Sequence, residues 1–402
     1  MLRSLEVSCM GKPNLQGIMK TGYKAYELAH NLPHHVRNAA WALMKCRTAE
    51  LGGHVQACPE GHYQRQWYNS CRHRVCPQCN WLQIEQWLHK QNERLLKCGH
   101  YHMIFTPPHE LNAIWLLNVR FMTNLLFITV RDTLYEFFED ERHIGGKPGI
   151  IATLHTWSQT LILHPHLHCL ITEGGLKDGS RWVSTRLKGY LLPVRAVMAV
   201  FRGKLLAYID RAAEKGELSL PEGMTIQRWR NLKNKLGRKK WNVHIRERYD
   251  HGKGIMIYLS RYIRGGAISN KRIISYTDKG VVFRYRTSEA SKRETMTLPV
   301  ADFIQRYFLH VPEPHTKVVR SYGLYASTAR DELSLCRAAF GQDAVNEWDV
   351  IDWQSFCETR GDEHPERCPI CGCRLVRVME IPRRRGYEYE YLPDREAIPQ
   401  AA

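Results

Sequence analysis

The spacing of apolar and polar positions divides the chain into helical and extended stretches. Apolar residues recur at helical intervals from Trp81 to Leu96, which predicts a helix there. The same reasoning predicts helices at residues 110–139, 193–217, 221–236, 253–264 and 300–309. Short runs bounded by proline or glycine predict strands at residues 100–106, 150–156, 160–172 and 241–246. We expect the turn Glu173-Gly174-Gly175 to end the third of these strands.

A few strands among long helices favour an α+β fold, with helices on the faces of an antiparallel or mixed sheet. Composition separates three predicted regions. Residues 1–98 hold most of the clustered cysteines, residues 99–298 hold the strands, and residues 299–402 form a helical C-terminal region. We expect the arginine- and glutamate-rich tail after Arg374 to be loosely ordered.

Net charge is the first property that limits the range of possible functions. The 402 residues include 58 Lys and Arg against 40 Asp and Glu, a formal net charge of +18. Such an excess favours a polyanionic partner, since each basic group that neutralises a phosphate releases counterions. The alternative is an ordinary protein that is merely basic.

Targeting signals and membrane segments are not evident in the sequence. No secretory pattern follows Met1, and the most apolar stretch, Trp115 to Val130, contains Arg120 and is too short to span a bilayer. We therefore expect a cytoplasmic bacterial protein that associates with the nucleoid when bound to DNA and has no membrane partner.

The segment around His166 carries the strongest chemical signal. Residues two apart on a strand point to the same face, so His166 and His168 can hold one metal ion together. His155 lies on the preceding predicted strand, and a hairpin would bring it beside the pair as a third ligand. His164 is a weaker candidate because Pro165 interrupts the strand. The alternative is that these histidines are simply solvated.

A pair of tyrosines four residues apart lies on one face of the predicted helix 253–264. The phenol oxygens of Tyr258 and Tyr262 can act as covalent nucleophiles, and Arg261 and Arg264 are placed to contact phosphate. Taken alone, a face of tyrosine and leucine is more typical of a helix packed against a core.

Together, these residues resemble the two-tyrosine HUH transposases of bacterial insertion sequences, which move by a rolling-circle route. His166-Leu167-His168 fits the histidine–hydrophobic–histidine motif, and Tyr258-Leu259-Ser260-Arg261-Tyr262 is similar to the tyrosine motif of the family. The spacing of His155 also resembles that of the histidine cluster in conjugative relaxases. A later segment, Arg320 to Ala326, matches the family without an evident role.

The resemblance implies a nuclease domain at residues 99–298, with a central antiparallel sheet flanked by helices. It implies a reaction dependent on Mg²⁺ or Mn²⁺, in which single-stranded DNA at the element's ends is nicked and rejoined through a 5′-phosphotyrosine. Tyr258 and Tyr262 would be the nucleophiles, and His155, His166 and His168 would hold the metal ion.

Cysteine pairs near the start of the chain predict a structural zinc site. The Cys76-Pro77-Gln78-Cys79 turn lets two thiolates reach one ion, and Cys58, Cys71 and His62 compete to complete it. The family typically has an N-terminal zinc-binding domain with a second upstream cysteine pair, of which one member is missing here. His62 would then take its place. Cys368 and Cys371 form a candidate second site, which Cys357 and His364 would complete.

Basic residues supply the candidate DNA contacts. Arg72 and Arg74 alternate with aromatic residues in the zinc region, a combination suited to phosphate contact and base stacking. Arg230 and Lys240 belong to a basic run whose tryptophans, Trp229 and Trp241, could stack on unpaired bases. Such a run is otherwise typical of a solvated helix face.

Three functions therefore fit the sequence. The first is a transposase, and the second is a plasmid replication initiator or conjugative relaxase with the same chemistry. The third is a zinc-bearing protein that binds DNA without cutting it. Neither the sequence of the DNA nor the oligomeric state follows from these residues.

Overall fold

The computed structural model describes residues 12–185, 189–250, 266–287, 292–345, 352, 357 and 366–384. Tyr258, Arg261, Tyr262, Arg264 and His364 lie outside these ranges. The helices are α1 Leu15–Ala29, α2 His34–Lys45, α3 Trp81–Arg94, α4 Asn112–Leu117, α5 Val119–Glu139, α6 Val194–Glu214, α7 Ile226–Arg238, α8 Val300–Phe308 and α9 Arg330–Ala339.

Twelve strands in the described residues form three antiparallel sheets. The strands are β1 Gly53–Ala57, β2 Gln64–Tyr68, β3 His100–Thr106, β4 Lys147–Trp157, β5 Leu163–Lys177, β6 Arg181–Ser184, β7 Asn242–Tyr249, β8 Ile273–Tyr276, β9 Val281–Arg286, β10 Arg293–Leu298, β11 Val319–Gly323 and β12 Val376–Ile381. The largest sheet has the order β11-β4-β5-β3-β7, with β6 paired to the end of β5. Antiparallel sheets flanked by helices confirm the predicted α+β class.

Alternation along the central strands divides the main sheet into two faces. One face carries Leu167 and Cys169 of β5 with Met103 of β3, all fully buried in a core that α5, α6 and α7 cover. The intervening residues of the same strands, His166 and His168 among them, must point to the other face. The alternation therefore separates an apolar packing face from a face that carries histidines.

The histidine face is itself covered in part. Next to the histidines along the strands, Ile151 and Leu170 are buried with residues of α3 and α9. Tyr325, fully buried in this layer, donates or accepts a hydrogen bond of 2.7 Å with His100 Nε2. Helices thus close one end of this face.

A second core joins the first described helices to residues 267–311. The helices α1 and α2 pack with β8, β9, β10 and α8, so that Tyr23 lies edge-on against Phe308 at 5.9 Å. Asn14 caps α1 by accepting from Gly17 N, and Asn270 accepts from Leu15 N. Packing therefore crosses the predicted limits at residues 98 and 299, and the apolar pattern had not predicted α1 and α2.

The third sheet also joins distant segments, in the order β12-β1-β2. Antiparallel register pairs Gly53 with Ile381 and Ala57 with Val376. The prediction of loose order after Arg374 is therefore wrong for residues 376–381, which are held by strand pairing.

Two other predicted elements differ in the structure. The predicted helix at 110–139 is broken at Asn118, whose φ of −136° interrupts the helical backbone. Gly174 and Gly175 lie inside β5 rather than in a turn. A Cβ at Gly174 would overlap the Val183 carbonyl oxygen, so these glycines permit close pairing of β5 with β6.

No helix in the described part of the chain is long and apolar enough to cross a membrane.

Candidate functional site

Three histidines converge at the centre of the main sheet. The register of β4 with β5 places His155 directly opposite His166, and Thr153 opposite His168. One nitrogen from each of the three rings lies within 4.8 Å of the others. Two nitrogens that ligate one ion at about 2.1 Å are separated by at most about 4.2 Å, so a small ring rotation would complete the geometry.

Burial keeps these imidazoles neutral. His155 and His168 are only 2% and 3% exposed, and desolvation lowers the pKa of each well below its ordinary value. The pKa of His166 falls to about 4 for the same reason. A neutral imidazole keeps a lone pair for a metal ion, so the donor set suits a divalent cation without competition from protons.

Hydrogen bonds fix the orientation of two of the rings. His166 Nδ1 lies 2.6 Å from the His164 carbonyl oxygen, which can only accept, so Nδ1 carries the proton and Nε2 is the acceptor. His168 Nδ1 lies 2.8 Å from His102 Nε2. When His168 donates this bond, its own Nε2 becomes the acceptor. Such outer contacts are typical of metal-ligating histidines.

His102 is a part of the site that the sequence analysis did not single out. It lies on β3, is 2% exposed, and stacks on His168 with ring centroids 5.0 Å apart. Burial lowers its pKa to about 4. Its place in the predicted strand 100–106 was evident, but the pairing of β3 with β5 was not, and only that pairing brings it to His168.

The tip of the β4–β5 hairpin is anchored from outside the sheet. Trp157 stacks on His155 with centroids 5.4 Å apart, and its other neighbour is His310. His310 donates through Nε2 to the Leu161 carbonyl oxygen at 2.9 Å and accepts at Nδ1 from Thr156. These bonds hold the β4–β5 connection, and with it the ring that stacks on His155.

A small cavity of about 70 Å³ adjoins this hairpin. Trp157 and His310 line it together with Gly266, the first described residue after the predicted tyrosine helix. His164, by contrast, does not join the three-histidine cluster, although its ring lies 5.0 Å from that of His166.

Four cysteines form a second cluster between α2 and α3. Cys46 and Cys76 have sulfur atoms 3.6 Å apart, and so do Cys71 and Cys79. Tetrahedral zinc with sulfur at 2.3 Å requires a separation of about 3.8 Å. The Cys71 thiol, followed by those of Cys76 and Cys79, donates hydrogen bonds to the sulfur of Cys46 and lowers its pKa.

The membership of this cluster differs from the predicted ligand set. The sequence analysis completed it with Cys58 or His62, whereas the structure places Cys46 there, at the end of α2. Cys46 stands alone in the sequence, so no spacing could reveal it. Cys58 and His62 instead lie beside Cys368 and Cys371, and neither described cluster contains Cys357.

A large groove of about 1320 Å³ lies beside the four-cysteine cluster. Its walls combine the aromatic rings of Trp41 and Trp67 with basic side chains. These are Arg47, Arg72, Arg377 and Arg383. Arg74 turns away from the groove and donates to the Thr316 carbonyl oxygen at 3.1 Å.

The basic run lies on α7, on the face of the main sheet opposite to the histidines. Trp229 and Trp241 are 0% and 4% exposed in the core, so the idea that they stack on unpaired bases is wrong. Arg230 lies 3.4 Å from the carboxylate of Glu214, while Lys240 is exposed. The amphipathic period of this helix reflects its burial against α6.

Comparison with known proteins agrees with this arrangement. Residues 18–107 match the family described as a transposase zinc-binding domain, and residues 149–332 match a family described as putative transposase. The second match spans the strands that carry the three histidines. No solved structure matches the chain significantly.

The chain is thus of the transposase class, a zinc-binding domain joined to a transposase domain. It is 34% identical over 380 residues to the putative transposase y4qJ of Sinorhizobium fredii, covering 92% of this chain and 95% of that protein. It is 28% identical over 347 residues to the transposase for insertion sequence element IS801 of Pseudomonas savastanoi pv. phaseolicola, covering 84% and 82%. The chain belongs to this transposase family.

Proposed function

We propose that the protein nicks and rejoins single-stranded DNA at the ends of an insertion sequence, through a 5′-phosphotyrosine intermediate, in rolling-circle transposition. The observation that carries this proposal is the convergence of three neutral histidines on the central strands of the main sheet, with His155 and His168 buried and His166 half-buried. A purely structural role would not require one nitrogen from each of three imidazoles to lie within 4.8 Å of the others.

His155, His166 and His168 would hold a divalent cation, Mg²⁺ or Mn²⁺. When bound, such a cation withdraws negative charge from phosphate oxygens and makes the phosphorus easier to attack. His102 would orient His168, and the His164 carbonyl oxygen would orient His166. Trp157 would shield the cluster from water on the side of the hairpin.

Tyr258 and Tyr262 would be the nucleophiles. The phenol oxygen attacks phosphorus and loses its proton, the bond from phosphorus to the 3′ oxygen breaks, and the 3′ oxygen takes up a proton and leaves as a free hydroxyl. The reverse attack by a 3′ hydroxyl releases the tyrosine and rejoins the strand. Both tyrosines lie outside the described residues.

The groove beside the four-cysteine cluster would hold the DNA. Its arginines would neutralise phosphates, and Trp41 and Trp67 would stack on unpaired bases. Arg72 is the DNA contact predicted from sequence that lines this groove. Arg230 and Lys240 remain candidates, although they lie on the opposite face of the sheet.

Cleavage of a labelled single-stranded oligonucleotide carrying an element end tests the proposal. The double variant Tyr258→Phe/Tyr262→Phe should lose cleavage by at least about a thousandfold, because no phenol oxygen remains to attack. Tyr190→Phe, at a tyrosine 48% exposed, is the matched control and should cut normally. Cleavage by the double variant at the wild-type rate would refute the proposal.

A further inference from the structure

Two six-residue turns of similar construction lie in segments far apart in the sequence. The first runs from Cys58 to Tyr63, where Cys58 N donates to the Tyr63 carbonyl oxygen at 2.8 Å. Inside it, Gly61 N donates back to Cys58 at 3.0 Å, and Gly61 has a φ of +75°. The Cys58-Pro59 step starts the turn, and glycine supplies the left-handed backbone that it needs.

The second turn runs from Cys368 to Cys373. Cys368 N donates to the Cys373 carbonyl oxygen at 2.8 Å, and Gly372 N donates back to Cys368 at 2.9 Å. Gly372 has a φ of +72°. Again a Cys-Pro step starts a six-residue turn that contains one left-handed glycine. Turns of this shape present two side chains from the same side, as tetrahedral metal binding requires.

The sheet β12-β1-β2 brings the two turns face to face. The pairing of Ala57 with Val376 sets β1 and β12 so that each turn lies at the same end of the sheet. Cys58 and Cys371 have sulfur atoms 3.4 Å apart although 313 positions separate them. The ligand atoms of Cys58, His62, Cys368 and Cys371 all lie within 4.8 Å of one another.

Apolar packing alone does not account for this arrangement. Within the described residues, the local core consists of the buried Cys58, Cys368 and Leu375, with Tyr63 and Cys373 partly buried against them. Along β12, Val378 and Met379 are 54% and 56% exposed. A sheet with so small a core needs another source of stability, which in small domains is commonly a disulfide or a metal ion.

We propose that Cys58, His62, Cys368 and Cys371 bind one structural Zn²⁺ and form a zinc ribbon from both ends of the chain. The site lies partly outside residues 18–107, which match the zinc-binding domain, and it is separate from the four-cysteine cluster. A zinc ion bound there would hold β12 in place, and with it Arg377 and Arg383, which line one wall of the groove. This zinc site does not depend on the proposed nuclease chemistry.

Zinc content of the full-length protein tests the proposal directly. The measurement is made in a His155→Ala/His166→Ala background, so that the nuclease histidines hold no zinc. We expect two zinc ions per chain, and one in the Cys368→Ser/Cys371→Ser variant. Cys336→Ala, at a buried cysteine on α9 that belongs to neither cluster, should keep both.

Hydrogen exchange shows which part of the structure is destabilised when the zinc ion is lost. In the Cys368→Ser/Cys371→Ser variant, amides 376–381 should lose protection while β3 stays protected, because only the ribbon depends on this ion. Two zinc ions per chain in that variant would overturn the proposal. An equal loss of zinc in Cys336→Ala would do so as well.

A ligand-preserving variant keeps the test decisive if cysteine removal prevents folding. His62→Cys retains four ligands and should still bind two ions. After exchange of zinc for Co²⁺, the thiolate charge-transfer absorption should increase in His62→Cys relative to the parent, as a Cys₃His site becomes Cys₄. An unchanged Co²⁺ spectrum would place His62 outside the site and contradict the assigned ligand set.

Discussion

At the scale of single residues, His102 shows how a site depends on a side chain that need not touch the metal ion. It is buried, it lies on a neighbouring strand, and its Nε2 is 2.8 Å from His168 Nδ1. Removal of this contact would let the His168 ring rotate and would lower its basicity. His102 is therefore a positioning residue in our account.

We predict that His102→Phe, which keeps the ring volume, weakens metal-dependent cleavage by about 10- to 100-fold. The loss should appear mainly as a higher metal concentration at half-maximal activity, with partial recovery at saturating Mn²⁺. Titration of cleavage with Mn²⁺ measures this. His109→Ala, whose side chain is 78% exposed, serves as the control. A purely structural role would instead lower activity equally at every metal concentration.

The donor set also predicts metal preference. Mg²⁺ favours oxygen ligands and holds its water tightly, whereas imidazole nitrogen suits softer divalent ions. Because the three proposed ligands are all imidazoles, we expect Mn²⁺ to support cleavage at a concentration at least about tenfold lower than Mg²⁺. Parallel titrations of one enzyme preparation measure this ratio. Equal half-maximal concentrations would argue against a site of three histidines.

At the scale of elements, β11 explains the late segment that resembles the family. Arg320 lies over the ring of Phe127 at 4.3 Å and donates to Asn124, both on α5. Gly323 N donates to the Tyr135 hydroxyl at 2.8 Å. The strand β11 therefore closes the edge of the sheet beside β4. Arg320 lies against α5 on the face opposite to the histidines, whereas Tyr325, later in the segment, is buried on the histidine face.

Substitution of Gly323 tests the placement of β11, and Gly203 in α6 provides the contrast. Gly323 has a φ of +58°, and a Cβ there would overlap the Pro148 carbonyl oxygen. Gly323→Ala should therefore destabilise the fold by about 2 kcal/mol or more. Gly203, in the middle of α6 with open space around it, is the contrasting position.

Gly203→Ala should raise stability by about 0.5–1 kcal/mol, because alanine favours the helix and meets no neighbour. Denaturant unfolding of both variants gives the comparison. If both glycines responded alike, the close approach of β11 to Pro148 would be incorrect.

At the scale of the whole molecule, the net charge of +18 includes two basic regions, each of which is a candidate DNA-binding surface. One is the groove, whose walls combine arginines from distant parts of the chain with the half-buried Trp41 and Trp67. The other is α7, where Arg230 and Lys233 already contact the carboxylates of Glu214 and Asp210.

The salt dependence of binding distinguishes these two surfaces. For single-stranded DNA, each phosphate contact contributes about 0.7 to the slope of log affinity against log salt. Arg72→Ala/Arg377→Ala should therefore lower the slope by about 1.4, whereas Arg230→Ala/Lys240→Ala should leave it unchanged. Fluorescence anisotropy at several salt concentrations measures both. If only Arg230→Ala/Lys240→Ala lowered the slope, the DNA-binding surface would lie on α7 and not in the groove.

The sequence predicted what depends on local spacing. Period-two alternation placed His166 and His168 on one face, and the strand before them supplied His155. Local spacing in the sequence could not predict contacts that depend on pairing between distant segments. Cys46, His102 and the neighbours of Cys58 all come from such pairings, and no local pattern specifies them.

The same limit explains the errors in predicted elements. Gly174 and Gly175 look like a turn, but they serve the close pairing of β5 with β6. The tail after Arg374 is polar and looks unstructured, yet residues 376–381 form a strand that pairs with β1. In both cases the deciding interaction lies on another strand, outside the window in which a pattern is read.

The covalent intermediate gives the most direct test of the central proposal. The protein is incubated with a 5′-labelled and a 3′-labelled single-stranded element end and Mn²⁺, denatured, and analysed by peptide mass spectrometry. Our account predicts an adduct on Tyr258 or Tyr262 that retains only the 3′-labelled fragment. The adduct should be absent in His166→Ala and present in His109→Ala. Cleavage without any protein-linked DNA, or a link to another residue, would contradict the account.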